Sequence, residues 1–183
     1  REGARDVCIW MSKLDLSQHA FGNWSEPVAV MDYHRTSQDT EQFIKKVGNA
    51  LVFHDNLDRL WMIYVSIAMG GWSTSSLNAT YSTDGGVTWS ASQRLWLSPL
   101  LNISELVRCP AIMMRSGEIG IPIYHECAGV FPEMLWLNPS ETKLEYRKSR
   151  MCGGRDWLQP SVVPTGPQSA ICYLCLLYTS DAA

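Results

Sequence analysis

The chain has 183 residues, a formal net charge of −3, 46% hydrophobic residues and 18% charged residues, the composition of a globular chain with enough apolar side chains for a real core. Charges of both signs are scattered without a basic stripe, which argues against a nucleic-acid or anionic-membrane surface. The longest apolar run, around Ala170 to Leu177, is far too short to cross a bilayer. The first residues, Arg1-Glu2-Gly3, carry neither an initiator Met nor a leader pattern, so the sequence reads as a piece of a longer protein with its targeting signal out of view.

Along the chain, short apolar strands alternate with polar turns, and the helical period of 3.6 residues is missing. Ser17-Gln-His-Ala-Phe-Gly-Asn-Trp24 is a degenerate hairpin turn. The next unit has strands at Asn49–Phe53 and Leu60–Ser66, a loop at Met69–Ser76, a third strand at about Ala79–Ser82, and a fourth beginning at Trp89. A third unit starts at Arg108–Met113, turns at Ser116-Gly117 and returns along Ile119–Glu126, and a further copy opens at Gln159-Pro-Ser-Val-Val163. Asp58 aligns with Gly117 and Trp24 with Trp89, a spacing of roughly sixty residues, and repeats of this kind predict an all-β propeller with four-stranded antiparallel blades. Two nearly complete blades and parts of two others are expected over residues 1–174, too few to close a ring. Residues 175–183 depart from the blade pattern and are expected to be a non-native tail.

Six cysteines have no regular spacing, and Cys172-Tyr-Leu-Cys175 is a lone CxxC without a second pair or a nearby His. Reduced, buried thiols are expected for four of them. The four histidines lack metal-ligand spacing, and neither a CxxCH nor a P-loop is present, so neither a metal nor a cofactor is expected. The sequons at Asn23, Asn78 and Asn102 bear on the protein only if its source glycosylates secreted proteins.

The sharpest motif is Ser82-Thr83-Asp84-Gly85-Gly86-Val87-Thr88-Trp89, which fits Ser-x-Asp-x-Gly-x-x-Trp. Asp84 supplies a carboxylate for the N–H groups of its own turn, Gly85 and Gly86 are free to take positive φ, and Trp89 is placed to fold back as an apolar lid. The segment resembles the Asp-box of sialidases and related β-propellers, in which the motif is structural and lies away from substrate.

A four-stranded meander puts the turns between strands one and two and between three and four at one end. Gly117 and the Asp-box therefore share an end, and chemistry is expected at the other. Asn49, Arg108 and Gln159 each stand as a polar residue at the mouth of strand one. Arg108, in Leu106-Val-Arg-Cys-Pro110, can hold a carboxylate through two parallel charged hydrogen bonds or bridge two blades by a salt bridge. Glu126 is expected opposite Arg108 across the hairpin, either as an acid or base that tunes Tyr124 on the same face or as the neutralising partner of Arg108. His125 points to the other face. In the Met69–Ser76 loop Trp72 offers an apolar platform for a sugar ring and Ser73 a hydroxyl, and Arg155 is a second candidate anion contact.

Together Asn49–Phe53, the Gly-Gly-Trp-Ser-Thr-Ser-Ser loop, the Asp-box, Leu106–Pro110, Pro122–Glu126 and Leu158–Val163 resemble the predicted-sialidase (neuraminidase) family with Asp-box (BNR) repeats. The resemblance spans roughly residues 1 to 170 and implies a six-bladed propeller, of which this chain is a part. It also implies an arginine triad on the substrate carboxylate, an acidic Asp and a Tyr–Glu nucleophile pair. Arg108 is the residue here that matches the motif of the family. The implied activity is hydrolysis of terminal sialic acid or a related acidic sugar by the full-length parent, the isolated piece being inactive. The alternatives are a non-catalytic carbohydrate- or protein-binding propeller and a lyase or glycosidase acting on uronic acids.

Overall fold

The computed structural model describes residues 6–17, 23–127 and 129–176. The chain is a succession of antiparallel sheets. Strands β1 (Ile9–Met11) and β2 (Val28–Met31) form a hairpin, and a helix α1 (Tyr33–Thr40) follows. A four-stranded meander then runs β3 (Lys46–His54), β4 (Leu60–Ile67), β5 (Ser75–Ser82) and β6 (Gln93–Arg94). The second meander begins with a strand split into β7 (Glu105–Val107) and β8 (Ile112–Met113), both paired with β9 (Ile119–His125), and continues through β10 (Phe131–Pro139) and β11 (Leu144–Arg150). A last hairpin joins β12 (Trp157–Gly166) to β13 (Ser169–Leu176). Among the described residues no helix is long and apolar enough to cross a membrane.

Several boundaries differ from the sequence reading. The third strand of the first meander starts at Ser75, and the fourth pairs only from Gln93 because the Asp-box turn takes up the residues around Trp89. Helix α1 carries little hydrophobic signal, since Thr36 is its one buried residue; it is set by its N-cap, where the Asp32 carboxylate accepts from the Arg35 N–H at 2.8 Å. Strand β13 runs past the expected boundary, with Cys175 and Leu176 paired to Leu158 and Trp157. The expected tail otherwise lies outside the described residues, as does most of the degenerate turn before Trp24. All six cysteines are free, but they are half-buried or exposed rather than buried.

Strand β4 shows how the sheets stack. Trp61, Ile63, Val65 and Ile67 pack in the core shared with the second meander, while Met62 and Tyr64 pack in the smaller core with Met31, Ile44 and Val47. Alternation of a strand buried on both faces produces this division. From the second meander Ile119, Ile121 and Ile123 enter the shared core along one face of β9, each at most 1% exposed. Burial of such a side chain is worth about 1.5–3 kcal/mol. The buried face also carries charge: Lys148 Nζ lies 2.7 Å from Glu105 Oε1 and 2.9 Å from Glu133 Oε2. Burial alone would depress the ammonium, yet the bonds to Glu105 and then Glu133 hold it above its ordinary value.

The turns sort to two ends. At one end the Asn56 side chain abuts Gly117 and leaves no room for a Cβ there, and Arg59 Nη1 donates to the Ser140 carbonyl at 3.0 Å. Asp55 locks that arginine, accepting from Arg59 Nε at 2.8 Å and from Trp61 Nε1 at 2.7 Å. The Asp-box sits at the same end, where Gly86 lies against Leu60 and Met11. Its Asp84 accepts from the Val87 and Thr88 N–H groups at 3.0 and 2.9 Å and from Thr88 Oγ1 at 2.6 Å. Ser82 Oγ donates to Asp84 at 2.7 Å and accepts from the Gly86 N–H at 2.7 Å. Gly85 and Gly86 take φ of 68° and 84°, which the turn requires. Trp89 does not lid the turn alone. It packs against the smaller core, and its carbonyl accepts from Arg35 Nη2 at 2.6 Å.

Asn78 and Asn102, two of the three sequon asparagines, are buried and use their amides internally, on Ser66 Oγ and on the Leu95 carbonyl. They are structural residues.

Removing Lys148 leaves two carboxylates buried together, so Lys148→Ala is expected to cost about 3 kcal/mol in urea unfolding; a change below about 0.5 kcal/mol would mark the cluster as an ordinary surface pair. The bonds from the Thr88 hydroxyl, the Thr88 N–H and the Ser82 hydroxyl hold the Asp84 carboxyl far below the ordinary aspartate range. A depressed carboxyl adds stability above the pKa of the unfolded chain and loses it as pH falls toward the folded one. Stability measured against pH should therefore decline on the acid side of the ordinary aspartate range, and Asp84→Asn should flatten that limb.

Candidate functional site

In three of the four sheets the first strand is interrupted. In β3 the register shifts between Gly48 and Leu51, so Asn49 and Ala50 stand opposite the single residue Tyr64. In β12 it shifts between Leu158 and Ser161, so Gln159 and Pro160 stand opposite Leu174. In the second meander Val107 pairs with Ile123 and Ile112 with Gly120, so Arg108 to Ala111 bulge away from two residues of β9. Pro110 has no N–H to give the ladder there. Asn49 and Gln159 both take left-handed φ, 44° and 51°. A bulge bends the strand and re-aims a side chain. The residues re-aimed are Asn49, Arg108 and Gln159.

They line one cavity of about 410 Å³ together with Trp72, Leu106, Tyr124 and Glu126. The cavity lies at the end of the sheets away from the Asp-box, where β3 begins, β9 finishes and the β4–β5 loop passes. Larger clefts exist, one of 630 Å³ between the first hairpin and the Asp-box turn and one of 560 Å³ between Met113, Trp136 and Pro164. A smaller pocket of 160 Å³ also brings Glu118, Tyr146 and Arg147 together, but there Arg147 is held by Glu118 at 2.8 Å, whereas Arg108 has no such carboxylate partner among the described residues.

Tyr124 is 5% exposed, and burial pushes its phenol up, the neighbouring Glu126 carboxylate adding to the shift while Arg108 and Gln159 pull it back. Burial likewise raises the Glu126 carboxyl. Arg108 is exposed and makes no salt bridge among the described residues, so the expectation that Glu126 neutralises it in an ion pair does not hold. The reason lies in the register. The hairpin is centred on Ser116, Met113 pairing with Ile119, and the bulge moves the pairing further, so that Glu105 stands opposite His125 and Glu126 lies beside Ser104 rather than across from Arg108.

Trp72 begins a short 3-10 turn, Trp72–Thr74, with its ring edge against Gly48 and Lys46 Nζ 4.9 Å above the ring. One face of the platform is thus occupied by a cation, worth about 0.5–1 kcal/mol at an exposed site. Ser73 is exposed on that turn outside the cavity lining. Arg155 is also outside it, its side chain lying over Gly129. His125 faces the other way and stacks on Phe131 at 4.9 Å, and burial lowers its pKa. Among the described residues no group of three His, Cys, Asp or Glu is placed to hold a metal.

Sequence reading missed two contributors. Lys46 sits three positions before Asn49 in an ordinary strand context. Ser104 is buried within a connecting loop, and nothing in its sequence setting announces a left-handed φ of 69°.

Comparison with known proteins agrees with the architecture. The family model described as a BNR repeat-like domain matches residues 1–175. No curated protein matches the sequence. Among solved structures, the Hadza microbial sialidase Hz136 superposes with a TM-score of 0.63 at 17% identity, covering 83% of this chain and 33% of that one. A protein of unknown function from Dyadobacter fermentans DSM 18053 gives 0.60 at 11% identity, with 83% and 48% covered. The Trypanosoma rangeli sialidase in complex with 2,3-difluorosialic acid gives 0.58 at 14% identity, with 84% and 27% covered. The chain therefore spans less than half of each of these structures, and at such identities the likeness is one of fold. Two antiparallel meanders with an Asp-box turn and a family match over nearly the whole sequence lead to one conclusion: the chain belongs to the BNR repeat-like domain family.

Proposed function

We propose that this chain is part of a six-bladed sialidase-type β-propeller of four-stranded blades, and that the complete protein hydrolyses terminal sialosides or a related acidic sugar. The observation that carries the reading is the convergence of Arg108, which has no salt-bridge partner among the described residues, with Tyr124 and Glu126 in one cavity, at the end opposite the Asp-box. In this reading Arg108 holds the substrate carboxylate through a bidentate pair. Asn49 and Gln159 supply neutral hydrogen bonds, and Trp72 walls the sugar ring. Glu126 takes the proton of Tyr124, whose phenol needs a base because burial keeps it protonated.

One observation favours a second reading. Among the described residues Arg108 is the single arginine lining the cavity. A propeller that binds an acidic glycan without cleaving it needs no more than this.

The complete protein assayed on a fluorogenic sialoside separates the two, turnover supporting the enzyme and binding without turnover the lectin. Arg108→Ala is expected to lower kcat/KM at least 100-fold, as loss of a charge-assisted pair worth about 3 kcal/mol would do, with the melting temperature unchanged. Unaltered kinetics would remove Arg108 from the site. A base must be unprotonated, so kcat/KM should climb as pH rises through the raised pKa of Glu126, above the ordinary glutamate range. Glu126→Gln should abolish that limb and lower the rate by roughly 10²–10⁴; a limb that survives the substitution belongs to another group.

A further inference from the structure

The cavity has two walls that come from different sheets, and one buried serine touches both. Ser104 is fully buried, with φ of 69°, a conformation that costs a non-glycine residue energy and persists where the surroundings impose it. Its N–H donates to the Ser75 carbonyl at 2.6 Å. Ser75 ends the turn that carries Trp72, its own N–H bonding the Trp72 carbonyl, and its hydroxyl donates to the Glu105 carbonyl at 3.0 Å. On the other side Ser104 Oγ accepts from the Glu126 N–H at 2.7 Å.

Geometry explains why a side chain is needed there. The β7–β9 ladder ends with Glu105 opposite His125, so Glu126 is the first residue beyond it. With Ser104 turned left-handed, its hydroxyl replaces the missing ladder acceptor at the point where the chain enters the cavity. An orphaned N–H at a half-buried position would otherwise favour fraying of this strand end.

We propose that Ser104 is the positioning residue of the cavity, fixing Glu126 at the end of β9 and clamping it to the Ser75 end of the Trp72 turn, so that the gap between carboxylate and indole is set by one side chain. Its consequence for catalysis rests on the reading of the cavity as an acidic-sugar site. The clamp itself does not, and the two are tested separately.

Ser104→Gly accepts the left-handed φ and deletes the hydroxyl. In the complete protein this variant should fold, while Glu126 amide exchange rises at least tenfold with the Tyr124 amide unchanged. The Glu126 carboxyl, followed by NMR titration, should fall toward the ordinary glutamate range as its cover loosens. Affinity for free N-acetylneuraminic acid, read from Trp fluorescence, should drop about tenfold or more. A folded variant with unchanged Glu126 exchange and titration overturns the proposal. If the wild type fails to bind the sugar, the proposed function falls, and the exchange and titration still decide the clamp. Should Ser104→Gly not fold, wild-type exchange decides it: a Glu126 amide as protected as its ladder neighbours supports the clamp, and exchange at the rate of an exposed loop overturns it.

Discussion

The structure turns on an interruption that recurs in register, the bulge in the first strand of three of its four sheets. An unbroken ladder would alternate side chains strictly between the two faces, and all of these residues would be spent on packing between sheets. At the bulge the ladder yields a residue, the backbone bends, and a polar side chain is delivered to the end of the sheet. Because successive sheets repeat the device, Asn49, Arg108 and Gln159 arrive around one cavity although they are far apart in sequence. Two of the three take left-handed φ, and the third stands before a Cys-Pro step that cannot complete the ladder.

The bulges are tolerated because the rest of each sheet is overdetermined. Strand β4 is buried on both faces, with Trp61, Ile63, Val65 and Ile67 in one core and Met62 and Tyr64 in the other. The opposite end is fastened by polar clasps: Asp55 with Arg59 and Trp61, and Asp84 with the N–H groups of its own turn. These fix where the turns lie without taking part in the cavity. Rigidity at one end permits irregular backbone at the other, a division common to sheets that carry binding groups on their loops.

Much of this is legible in the amino-acid sequence. The Asp-box announced its turn because Asp, two glycines and Trp at fixed spacing leave the backbone few other conformations. It also set the register that sends Gly117 to one end and Arg108 to the other. What failed to be legible had physical causes. Helix α1 rests on a single N-cap and one buried threonine, too weak a periodicity to compete with the surrounding strand signal. Symmetry about Gly117 would set Glu126 across from Arg108, but the hairpin is centred on Ser116 and the bulge shifts the register further. Lys46 gave no sign because its effect depends on the indole of a distant loop. Ser104 gave none because serine rarely takes positive φ, and the conformation here is imposed by Ser75 and Glu126 through space.

Whether chemistry lies at the bulged end is decided by a crystal structure of the complete protein with N-acetylneuraminic acid bound. The sugar carboxylate is expected on the Arg108 guanidinium, with Asn49, Gln159 and Glu126 within hydrogen-bonding reach of the ligand and the Asp-box turn bare. A sugar held at the Asp-box end, or anywhere that leaves Arg108 in solvent, would contradict it.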